Sequence, residues 1–300
     1  MIDLCSHWLV GGSGLAHSGL HNAVGSGLYT ATTLDDSFTR LGHNQLTPFF
    51  VLRQAQRLTI GANHGLWEWR RDETRYIQLH DETLTEVLGL AAVPGDPGLV
   101  IACSYGIATA YRDELGAARW TFHSDSPVPD ERFANALYID PAHPDQWLVG
   151  TEAGVFIYLA TDHQWQASDL NGTPVRALCS ARGRLWAGTD DRGILHSDDG
   201  LHWTQAGGPI EGAVYALHDT GTSLLAATQY GIVTGDGEGP WTQTGPRLST
   251  TCITSDPRAP GTWAAGASPG GLWHTRDAGE HWQQAGHFKH VRVVLAPEEI

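Results

Sequence analysis

Val175-Arg176-Ala177-Leu178-Cys179, Arg184-Leu185-Trp186-Ala187-Gly188, Gly193-Ile194-Leu195-His196-Ser197 and His202-Trp203-Thr204-Gln205 follow one another with only turn-forming residues between them. Four short β-rich runs joined by tight turns read as one four-stranded antiparallel unit. The same order recurs over 214–217, 223–227, 231–235 and 241–244. A glycine followed by a branched aliphatic residue marks the unit, at Gly27-Leu28, Gly65-Leu66, Gly106-Ile107, Gly154-Val155, Gly193-Ile194, Gly231-Ile232 and Gly271-Leu272. The intervals are 38, 41, 48, 39, 38 and 40 residues. A period near forty built from short strands is the pattern of a β-propeller blade. The expected fold is all-β, a seven-bladed β-propeller of four-stranded antiparallel blades.

The chain ends decide how such a ring closes. Residues 289–297 read as an inner strand with no blade after it. Residues 8–12, 27–30 and 38–41 supply three strands of a first blade that lacks its inner one. The C-terminal strand is expected to complete that blade, removing open sheet edges. Residues 1–300 then form a single domain. Trp8, Trp147, Trp186 and Trp263 open second strands, while Trp120, Trp165, Trp203, Trp241 and Trp282 mark outer ones, positions that suit filling between neighbouring sheets. Gly89, Ala136, Ala177, Ala216 and Cys252 share a small-residue position on the inner strands, and Arg292 is placed in the same register.

Charge excludes some partners. With 33 acidic against 18 basic residues, the net charge of −15 repels phosphate backbones, so nucleic acid is not expected. No apolar run approaches membrane-spanning length, so membrane insertion is not expected either. The first residues, Met1-Ile2-Asp3-Leu4-Cys5, carry no signal-peptide pattern. The four cysteines are widely separated and read as small buried hydrophobes in a reducing compartment, which gives a cytoplasmic expectation.

Thr275-Arg276-Asp277-Ala278-Gly279-Glu280-His281-Trp282 fits the Asp-box pattern, and His196-Ser197-Asp198-Asp199-Gly200-Leu201-His202-Trp203 reads as a degenerate copy with His196 at the hydroxyl position. On these motifs the chain resembles the BNR or Asp-box repeat propellers, which include sialidase-like, sortilin-like and photosystem-assembly-factor-like members. The resemblance implies a structural hairpin between third and outer strands, on the face opposite the usual ligand site. Thr275, Asp277, Gly279 and Trp282 are then fold determinants. It does not extend to sialidase chemistry, because the Arg-Ile-Pro motif near the start is missing and sialidases resemble six-bladed rings.

The turns between second and third strands and the links into inner strands share one face around the channel, the normal place for function on a rigid ring. Candidate acid–base residues there are His64, Tyr105, Glu152, Asp190 and Tyr230. His43, His80, His123 and His287 follow outer strands at nearly equivalent places. Neutral imidazoles so arranged suit a divalent transition metal, and repeated units also inherit similar residues with no shared ion. The glycine-rich stretch 11–26 replaces a tight turn and brings His17 and His21 toward the mouth, as a lid or as an idle loop. Arg292 and His290 are candidate ligand-binding residues. A channel guanidinium holds an anion or carboxylate, or it pairs with an acid of the next blade. Two functions compete. One is a binding or assembly propeller whose loop-rich channel face holds a protein partner or small ligand; the other is a metal-assisted lyase, hydrolase or cyclising enzyme.

Overall fold

The computed structural model describes residues 5–14, 25–42, 46–54, 57–70, 75–95, 98–112, 118–124 and 126–298. Among these residues, seven antiparallel sheets of four strands account for nearly all regular structure, with one helical turn at Pro129–Arg132. The inner strands of blades 2 to 7 are Pro48–Gln54, Gly89–Ala92, Ala134–Ile139, Val175–Ala181, Val214–Asp219 and Thr250–Ser255. Blade 1 takes its inner strand from the other end of the chain, Phe288–Leu295, which pairs antiparallel with Trp8–Gly14. Each inner strand packs on the next, and Phe288–Leu295 touches both Thr250–Ser255 and Pro48–Gln54. The ring is closed, by a strand one residue earlier in starting than the sequence pattern suggests. Among the described residues no helix is long and apolar enough to cross a membrane.

The core is divided. Seven separate apolar clusters occupy the seven gaps between neighbouring blades. Trp147 lies with Val100, Ile107 and Ala134 between blades 3 and 4, and Trp186 with Ile194, Val214 and Leu224 between blades 5 and 6. Trp8 and Trp263 serve the gaps on either side of blade 7. All four are nearly buried, as their repeat phase requires.

A second-strand glycine sets how closely blades approach. A Cβ on Gly188 would meet Val214 Cγ1 at 2.7 Å, and one on Gly150 would meet Val175 Cγ1 at 2.8 Å. Gly61 stands in the same relation to Val87, and Gly266 to Val291. Each glycine thus admits a valine of the next blade, two residues before Gly89, Ala177, Ala216 or Val293. The contact repeats around the ring because both residues repeat with the blade.

The hairpin at Thr275 has the hydrogen bonding its sequence implies. Thr275 Oγ1 donates to Asp277 Oδ1 at 2.6 Å and accepts from Gly279 N at 3.1 Å, while Asp277 Oδ1 accepts from His281 N at 2.9 Å. Trp282 Nε1 donates to Gly279 O at 3.2 Å. Its copy requires a correction to the alignment. Ser197, not His196, takes the hydroxyl role, with Gly200 N at 2.8 Å, and Asp199, not Asp198, accepts from Leu201 N and His202 N at 2.8 and 2.9 Å. The turn is one residue shorter between acid and glycine, and it folds to the same bonds. In both turns these bonds hold the aspartate well below its usual range, chiefly His202 for Asp199 and Thr275 for Asp277.

Candidate functional site

An irregularity repeated in the inner strands builds the channel mouth. In blades 2, 4, 5, 6 and 7 the pairing of inner with second strand skips one residue, Phe49, Asn135, Arg176, Tyr215 and Thr251 respectively. Blade 1 skips Arg292, between Val291↔Gly12 and Val293↔Gly11. A β-bulge leaves its extra residue unpaired and re-aims the side chain. Here the bulge side chains line a cavity of about 600 Å³ at the axial mouth, joined by Glu86 and Leu88 from blade 3. Arg292 is therefore not in register with the small residues. Its companions are the bulge residues, and Val293 holds the position of Ala136, Ala177, Ala216 and Cys252.

One side of this mouth is electrostatically closed. Arg176 Nη1 donates to Glu152 Oε1 at 2.6 Å, and its Nε and Nη2 donate to the two Asp190 oxygens at 2.9 and 2.7 Å. Asn135 Nδ2 donates to Glu152 Oε1 at 3.1 Å. The Asp190 hydrogen bond, reinforced by Glu152 against partial burial, holds the Arg176 guanidinium above its ordinary value. Glu152 and Asp190 do converge, but on an arginine that occupies both.

The other side is open. The Arg292 guanidinium lies 5.2 Å from the centre of the Phe49 ring, and no ion pair engages it among the described residues. His290 Nδ1 lies 3.0 Å from Ser268 Oγ. Partial burial, then Lys289 and Arg292, push the His290 imidazole below its ordinary value.

The remaining candidates are dispersed. His64 is exposed at its turn, where its carbonyl accepts from Trp67 Nε1 at 2.9 Å. Tyr105 and Tyr230 are 55% and 46% exposed, Tyr105 edge-on to Phe122. His80 Nδ1 sits 2.9 Å from Leu66 O and 3.2 Å from Leu66 N, within its own blade. His123 stacks on His163 with centroids 5.7 Å apart, both Nδ1 atoms bonding Tyr158 Oη at 2.9 and 2.8 Å. His287 borders a separate hollow with Asp35 and Asp36. His17, His21 and His43 lie outside the described residues. Among the described residues, the one group of three potential ligands with all donor atoms within 4.8 Å is Asp277, Glu280 and His281, fully on the surface. Sequence reading missed Phe49, Asn135, Tyr215 and Thr251. For Asn135, Tyr215 and Thr251, as for Arg176, the signal was a place just before a small inner-strand residue; Phe49 precedes Phe50 and carried no such signal.

No protein-family model matches the chain, and no curated protein matches it. Solved structures do. The computationally designed protein Ika8 superposes with a TM-score of 0.64 at 14% identity, over 93% of this chain and 89% of its own. The extracellular domain of BT4673 from B. thetaiotaomicron, a protein assigned as a hybrid two component system, gives 0.61 at 17% identity, over 89% of this chain and 37% of that one. At such identities the likeness concerns the fold alone. The chain is a seven-bladed β-propeller.

Proposed function

We propose that this propeller is a binding module that holds an anionic group, carried by a small ligand or a protein partner, at the open side of the axial mouth. The observation that supports it is Arg292, a channel guanidinium seated on Phe49 with no carboxylate to neutralise it among the described residues, while the equivalent Arg176 has two. A guanidinium held over an aromatic ring at the edge of a largely apolar cavity is a ready anchor for a carboxylate. Binding needs no catalytic constellation, and the acid–base candidates are either engaged, as Glu152 and Asp190 are, or separated. The metal-assisted alternative draws no support from His80 and His123, whose ring nitrogens bond inside or between blades. Cys103, Cys179 and Cys252, which form no disulfide, support a reducing, cytoplasmic setting. The two Ser/Thr-Asp-Gly-Trp hairpins support membership of the BNR or Asp-box propellers, and continuous inter-blade packing supports a single domain.

The test is affinity capture from an extract of the source cell with wild-type protein and the Arg292→Ala variant, with mass spectrometry of bound proteins and co-purifying anions. A partner or anion retained by wild type and lost from the variant is the expected result. Recovery of nothing, or equal recovery by both, overturns the reading.

A further inference from the structure

A second cavity, of about 370 Å³, lies between blades 3 and 4, where the link from one blade to the next crosses the same face as the axial mouth. Its wall includes Ser124, Glu131, Arg132, Phe156, Trp165 and Ala167. Three buried polar atoms without a hydrogen-bond partner belong to this wall: Ser124 Oγ, Arg132 Nε and Trp165 Nε1. Native proteins leave few such atoms, and each raises the question of what normally completes it. Two of the three are obligatory donors, and the third is a hydroxyl able to donate. A group complementary to all of them is acceptor-only. Arg132 has no ion pair among the described residues, so the complement also carries negative charge.

The rest of the wall narrows the class further. Glu131 shares the cavity, its carboxylate taken by the Ser126 hydroxyl, so a dianion entering beside Arg132 meets a like charge. Phe156, Trp165 and Ala167 present aromatic and methyl surface to the ligand body. We propose that this cavity is a binding site, separate from the axial mouth, for a small monocarboxylate with a flat or apolar body. Arg132, Trp165 and Ser124 hold the carboxylate, and Phe156 and the Trp165 ring face the body. The proposal does not depend on Arg292.

Titration calorimetry of the full chain with sodium benzoate, benzyl alcohol and inorganic phosphate tests it, with a melting curve for every variant. Benzoate is expected to bind wild type, with benzyl alcohol and phosphate at least about tenfold weaker, because each lacks either the charge or the body. Arg132→Ala is expected to weaken benzoate by about tenfold or more. Trp165→Phe keeps an aromatic ring, smaller than the indole, and deletes the N–H. It is expected to weaken benzoate by about threefold while still unfolding cooperatively, loss of an unpartnered buried donor offsetting part of the packing lost against Tyr158. That variant decides the matter if Arg132→Ala does not fold. Absence of benzoate binding by wild type, equal binding by Trp165→Phe and Arg132→Ala, or phosphate binding as tightly as benzoate overturns the proposal. So does benzoate binding that Arg292→Ala abolishes and Arg132→Ala leaves intact, a result that favours the axial reading instead.

Discussion

Arg176 and Arg292 occupy the same bulge position in blades 5 and 1, yet one is closed and the other open. The difference lies in the residue that follows each second strand. At that position blade 4 offers Glu152 and blade 5 offers Asp190, and Arg176 stands between them. For Arg292 the preceding blade offers Ser268, which turns to His290, and its own blade offers Ser13, paired with His290 in the strand register, so neither position supplies a carboxylate. Two arginines held by identical backbone irregularities therefore do different work. The first ties blades 4 and 5 together; the second is left facing the cavity.

The largest effect should come from the closed side. Arg176→Ala leaves two carboxylates and Asn135 around a vacated cation site, and is expected to lower unfolding free energy by about 2–3 kcal/mol in denaturant titration. Arg292→Ala, which breaks only a cation–π contact, should change stability by no more than about 1 kcal/mol while removing anion binding. Equal losses of stability would mean that the two positions are not functionally distinct.

The glycines that space the blades sharpen the same comparison. A Cβ at Gly188 comes within 2.7 Å of Val214 Cγ1, and one at Gly266 within 2.5 Å of Cys252 Sγ and Val291 Cγ1. Gly188→Ala and Gly266→Ala should each cost about 1–3 kcal/mol through overpacking. Only Gly266→Ala displaces the residue next to Arg292, so it alone should also weaken capture of the anionic partner. Matching losses of capture in both would show that the whole ring, and not the open side, governs binding.

The fold was legible because it repeats. The Gly-aliphatic marker, the second-strand tryptophans and the unmatched strand at the C-terminus each state the same architecture, and all seven sheets carry it. The site was legible only in part because it depends on what departs from the repeat. Glu152 and Asp190 were visible as turn acids, but their joint capture by Arg176 requires knowing that the inner strand bulges there. Arg292 was noticed and placed one residue off, since an alternating strand has no means of announcing an extra residue. The histidines misled for a related reason: equivalent sequence phase after an outer strand does not fix where the side chain turns. His80 folds back on Leu66, whereas His123 crosses to Tyr158 of the next blade.

Converting the open side into the closed one is a smaller and more direct test. Ser268→Glu places a carboxylate in the blade 7 turn at the position of Glu152. It should pair with Arg292, raise stability by no more than about 1 kcal/mol, and abolish binding of the anionic partner. Retained binding would show that Arg292 is not the anchor.

The smallest expected effect is on pH dependence, and it again separates the two sides. The folded His290 has its imidazole pushed below the ordinary value by burial, Lys289 and Arg292, so the neutral ring is favoured. Its contribution to stability is then present above about pH 6.5 and is lost as pH falls toward the depressed folded value. His218, half-buried with its Nε2 accepting from Ser255 N at 3.0 Å, is also lowered, chiefly by desolvation, and acts in the same direction. His202 and His281, raised by Asp199 and Asp277, act oppositely: their contribution is present below about pH 6.5 and fades as pH rises through their raised values. A melting profile sums these, but binding does not. An anion at Arg292 favours the protonated His290 beside it, so affinity should rise by about two- to fivefold as pH falls from 7.5 to 5.5, against the direction of the His290 stability contribution. His290→Gln should flatten that rise without removing binding, because a neutral amide keeps Ser268 company at every pH. A rise that persists in His290→Gln would place the titrating group elsewhere at the mouth and break the link between the open arginine and its neighbour.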